Sequence, residues 1–84
     1  MELNELRKRI DELDESMIRT LAERMQLVSK IMEYKQENGI LSIDSEREKE
    51  IMDTRRALAE KLVLNPDLVE DLLKRVLEES HNTE

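Results

Sequence analysis

Between Leu3 and Asn38 the chain carries neither proline nor glycine, and Gly39 closes the run. This predicts one uninterrupted helix, ~54 Å long at ~1.5 Å per residue. Globular helices usually run ~8–20 residues. A helix of this length must bury its apolar side against something. The rest of an 84-residue chain is too short to cover it alone.

The apolar pattern divides the helix into two halves. Leu3, Leu6, Ile10, Leu13 and Met17 follow a 3-4-3-4 spacing, a single stripe suited to lying on one neighbour. From Leu21 onward, Met25, Leu27, Val28, Ile31, Met32 and Tyr34 point to several sides, which suits contact with more than one helix. Gly39 is a natural residue for the position after a helix, since it accepts positive φ. After a short connection, Asp44 and Ser45 both offer N-caps, and Ser45-x-x-Glu48 fits a capping box. The second helix then runs to about Leu62, with Ile51, Leu58 and Leu62 as its apolar face and Met52 and Ala59 beside it. Asn65-Pro66 is a further start signal, Asn as cap and Pro at the first helical position. Leu68, Val69, Leu72, Leu73, Val76 and Leu77 give the third helix a continuous apolar face to about Ser80. The expected architecture is all-α: one long helix and two shorter ones in a single domain over residues 1–84.

Composition narrows the chemistry. There is no Cys, so neither a disulfide nor a thiolate metal site is available. His81 is the single histidine, which rules out a His-rich metal site. No Gly-rich phosphate loop occurs. The net charge of −7 argues against general nucleic-acid binding, which needs a basic face. The apolar run needed for a signal peptide or membrane span is absent, so a soluble, cytoplasmic protein without membrane or nucleic-acid partners is expected.

Some charges sit where a helix core is expected. Positions 24, 28, 31 and 35 share one helix face. Arg24 and Lys35 therefore bracket Val28 and Ile31 on the buried side, ~16 Å apart at the backbone. A buried cation without a counterion is costly. The bland alternative is that each pairs with a carboxylate or extends to water. Arg47, four residues before Ile51, also faces the core side, its alternative being a surface ion pair with a nearby glutamate. Ser80 and Glu84 continue the Val76 stripe, with a frayed, solvated C-terminus as their alternative. Arg7 lies on or beside the arm's stripe, ~25 Å from Arg24 along the same helix. One small ligand cannot touch both from a single chain. If both serve one site, Arg7 comes from a second copy.

The ordered set Leu6-Arg7-x-x-Ile10-Asp11-x-Leu13-Asp14, Leu21-Ala22-Glu23-Arg24, Lys35 and Asp44-x-x-Arg47-Glu48 resembles the all-helical chorismate mutases of the bacterial and archaeal type. The resemblance covers essentially the whole chain. It implies an intertwined helical homodimer whose long first helices cross between subunits, with each active site mixing residues of both chains. It implies chorismate as substrate, rearranged to prephenate in phenylalanine and tyrosine biosynthesis, with no cofactor and no metal. By position, Arg7 of the partner chain and Arg24 would hold the two carboxylates. Lys35 would bridge a carboxylate and the ether oxygen. Asp44, mainly through its backbone, and Glu48 would take the ring hydroxyl, and Ser80 would contact a carboxylate. Arg47 would line the site, and Val28 and Ile31 would form the floor under the ring. Glu84 stands where the family usually has a glutamine that donates to the ether oxygen; a glutamate can donate there only when protonated.

Two other readings of the same residues compete. Isochorismate pyruvate lyase has a similar fold and cationic site. A non-catalytic helical dimerisation module would account for the i,i+4 charge pairs and the arm. Such a module would not need Arg24 and Lys35 on the buried face.

Overall fold

The computed structural model describes residues 2–41 and 43–81. It contains three helices, α1 (Leu3–Glu37), α2 (Ser45–Lys61) and α3 (Pro66–His81). As predicted, α1 is unbroken over 35 residues. It ends in a Schellman motif: Ile40 N–H donates to Lys35 C=O at 2.9 Å and Gly39 N–H to Gln36 C=O at 3.4 Å. Gly39 takes φ 63°, the left-handed conformation this motif requires.

The start of α2 corrects the expected capping box. Asp44, not Ser45, is the cap: its backbone is extended and its carboxylate accepts from Arg47 N–H at 3.0 Å. Ser45 is already the first helical residue. Glu48 is therefore not engaged in a Ser45 box and turns to His81 instead. At the start of α3, Asn65 Oδ1 accepts from Asp67 N–H at 2.9 Å, as the Asn-Pro signal predicts. Arg56 of α2 donates to Asp67 at 3.0 Å, a bond that holds its guanidinium still more firmly protonated.

The α2–α3 turn closes α2 with a second Schellman motif, Leu64 N–H to Ala59 C=O at 2.8 Å and Val63 N–H to Glu60 C=O at 3.1 Å. Here the left-handed position belongs to Val63, at φ 57° and 95% exposed. A β-branched residue is strained there. Val63→Gly is expected to stabilise the protein by about 1 kcal/mol, raising the melting temperature by about 4–8 °C. A thermal scan checks this.

Helix α2 packs on α3, and among the described residues only Ile51 and Ala59 are buried apolar side chains. The expected α2 face is thus partly corrected. Leu58 and Leu62 remain 53% and 65% exposed, because α3 covers only one edge of a face wider than one neighbour. On α3, Leu68 and Leu72 are likewise uncovered, and Ser80 is buried rather than frayed. No residue of α1 is buried at all. The molecule spans 55 × 24 × 16 Å with a radius of gyration of 16.0 Å; a compact chain of this length would have ~12 Å. Such a helix draws its stability from tertiary packing on an apolar face, and this face is open.

Candidate active site

The second half of α1, the start of α2 and the end of α3 enclose a cleft of about 160 Å³. Helical spacing places Arg24, Val28, Ile31 and Lys35 in a row along its α1 wall. The cap of α2 supplies Asp44, Arg47 and Glu48. The last turn of α3 supplies Ser80. Arg24 Nη1 donates to Ser80 Oγ at 3.4 Å, and Ser80 Oγ donates to Val76 C=O at 2.8 Å. This pairing ties α1 to α3 through two residues of the site itself.

Eight predicted positions therefore meet in one place: Arg24, Lys35, Asp44, Arg47, Glu48 and Ser80, with Val28 and Ile31 as the apolar floor. Arg47 lines the cleft, yet its guanidinium pairs with Glu50 at 2.8 Å and is half exposed, so the surface ion pair is formed as well. Asp44 Oδ1 is taken by the cap bond from Arg47 N–H, and the Asp44 carbonyl accepts Glu48 N–H at 3.0 Å. Arg7 does not line this cleft; it is exposed on the arm of α1. Glu84 lies outside the described residues. Sequence reasoning missed Met32, Ile51, Leu77 and His81, which also line the cleft. His81 had a readable signal, since it falls four residues after Leu77 on the apolar stripe of α3.

Arg24, Lys35 and Arg47 bring three cations to the cleft in a chain of net charge −7, with Asp44 and Glu48 beside them and Glu50 paired to Arg47. Planar guanidinium groups suit bidentate carboxylate recognition. Among the described residues no cluster of His, Asp or Glu is arranged to hold a metal ion, and no helix is long and apolar enough to cross a membrane.

Residues 6–84 match the chorismate mutase type II family. The chain belongs to that family. Within it, the chain is 41% identical over 83 residues to a T-protein of Enterobacter agglomerans, covering 99% of this chain and 22% of the relative. It is 42% identical over 59 residues to a chorismate mutase of Methanocaldococcus jannaschii, covering 70% of this chain and 60% of the relative. It is 35% identical over 78 residues to a bifunctional chorismate mutase/prephenate dehydratase of Buchnera aphidicola, covering 93% of this chain and 20% of the relative. The chain thus spans about a fifth of the length of the T-protein and of the bifunctional relative. No solved structure matches it significantly. The all-helical, three-helix structure is consistent with that family.

Proposed function

We propose that this chain is an isomerase that rearranges chorismate to prephenate, in phenylalanine and tyrosine biosynthesis, at a site completed by a second copy of itself. The observation that carries the reading is the row Arg24–Val28–Ile31–Lys35 facing Ser80 and Glu48 across one cleft. The reaction is an intramolecular pericyclic rearrangement and needs no nucleophile and no obligatory proton transfer. Arg24, with Ser80, holds one carboxylate of the dianion, and Arg7 of the second copy holds the other. Together they keep a flexible molecule in its compact, reactive shape. Lys35 faces the ether oxygen, where negative charge grows as the C–O bond breaks. Glu48 and the Asp44 backbone take the ring hydroxyl. A rate gain of ~10⁶ requires ~8 kcal/mol, and each charge-assisted hydrogen bond supplies ~1.5–3 kcal/mol, so several acting together are needed.

Two features support the second copy. The cleft, at about 160 Å³, is smaller than the ~300–1,000 Å³ usual for small-molecule sites, as a half-built pocket would be. Beside it runs an apolar groove of about 870 Å³ lined by Ile10, Leu13, Met17, Leu21, Leu72 and Val76. Its occupant on this reading is the α1 arm of the second copy, whose own stripe of Leu3, Leu6 and Ile10 is equally uncovered. Arg24 borders both groove and cleft, so an antiparallel arm lying in the groove would carry Arg7 to the site.

Incubation with chorismate and, separately, with isochorismate tests the reaction. Prephenate from chorismate is the expected product. Release of pyruvate from isochorismate without prephenate formation would assign the chain to the lyases, and no turnover of either would leave a dimerisation module.

A further inference from the structure

Two consecutive residues in the last turn of α3 reach two different helices. Ser80 takes Arg24 of α1, and His81 takes Glu48 of α2, with His81 Nε2 2.5 Å from Glu48 Oε1. The His81 and Glu48 side chains are 37% and 31% exposed, and both border the cleft. They also border a second groove, of about 420 Å³, on the far side of the pair. That groove is lined by Lys49 of α2 and by Lys74 and Glu78 of α3, over Met52 and Leu77. Arg24 and Lys35 of α1 face the pair from the cleft side. Glu48 therefore lies between two cavities that each carry cations, Lys74 also pairing with Glu70 at 3.7 Å.

We propose that His81 is a positioning residue. It holds one oxygen of Glu48 and keeps the carboxylate turned toward the cleft instead of toward Lys49 and Lys74. On the mutase reading, on which this inference rests, the other oxygen then stands ready for the ring hydroxyl. An imidazole suits the task, because Nε2 donates to a carboxylate in the charged ring and in the Nε2–H tautomer of the neutral ring. A fixed carboxylate also spares the substrate the entropy of ordering a side chain with several rotatable bonds. The other carboxylate of the cleft, Asp44, is already held by its cap bond, so Glu48 is the one that needs an external tether.

The test is a set of variants assayed for kcat/KM on chorismate, with helical content and melting temperature measured alongside. His81→Leu removes the donor and is expected to lower kcat/KM about tenfold, the size of one charge-assisted hydrogen bond. His81→Gln, which presents an amide N–H near the place of Nε2, is expected to restore it to within about threefold of the wild type. In a Glu48→Ala background, His81→Leu is expected to have no further effect, because its partner is gone. An equal loss in both backgrounds, or a folded His81→Leu protein with wild-type kcat/KM, would overturn the assignment. A second readout is independent of turnover. His81 is the single histidine, so its imidazole ¹⁵N resonances are unambiguous. They are expected to move in Glu48→Ala. Resonances that ignore that substitution refute the His81 assignment whatever the turnover, whereas a wild-type protein without turnover refutes the mutase reading.

Discussion

Lys35→Ala is expected to lower prephenate formation by ~10²–10³-fold, the usual effect of removing one donor from a developing anion, while leaving the protein folded. The Lys35 backbone carbonyl accepts Ile40 N–H in the α1 cap. Alanine keeps that carbonyl and is a better helix former than lysine. The ammonium group ends the cationic row on the α1 wall and shares the cleft with Asp44, Arg47 and Glu48. Its removal takes away the charge proposed to face the ether oxygen. Initial rates of prephenate formation, with circular dichroism as the folding control, check the prediction. Wild-type turnover in a folded variant would sink the assignment of Lys35.

Arg7→Ala is expected to lose activity to a similar extent, and its loss is expected to be repaired by mixing. Arg7 is exposed on the arm and absent from the cleft of its own chain, so a defect caused by its removal would be felt in the neighbour. Unfolding Arg7→Ala and Lys35→Ala chains together and refolding them would place half of the chains in mixed dimers. Each mixed dimer would hold one site with both residues intact and one with neither, because a two-fold interface exchanges the same residues in both directions. Activity should therefore return to about a quarter of the wild-type level. Two inactive proteins that stay inactive after co-refolding would show that Arg7 does not serve the neighbour's site.

Much of this architecture was written locally. The length of α1 follows from the absence of breakers between Leu3 and Asn38, and its end from Gly39. Pro66 and Asn65 fix the start of α3 through one hydrogen bond and one missing donor. The cationic row was legible because Arg24 and Lys35 interrupt an apolar face at helical spacing. Other features depend on relations between helices that spacing alone does not hold. Asp44 and Ser45 are equally good caps by type, and only the extended backbone at residue 44 separates them. Ala59 lies beside the face that Leu58 belongs to, and the rotation of α2 against α3 decides that Ala59 is covered and Leu58 is not. The bond from His81 to Glu48 joins residues 33 apart and needs the α2–α3 hairpin to exist first. Val63 in a left-handed turn runs against its own preference, so composition pointed away from it.

Two copies of this chain, as proposed above, build two equivalent sites, each with walls from both. Calorimetric titration with a bicyclic dicarboxylate analogue of the transition state tests this most directly. The expected result is tight binding of one analogue per chain in the wild type and a large loss of affinity in Arg7→Ala. No binding, or binding of full strength to a monomeric Arg7→Ala chain, would contradict the account.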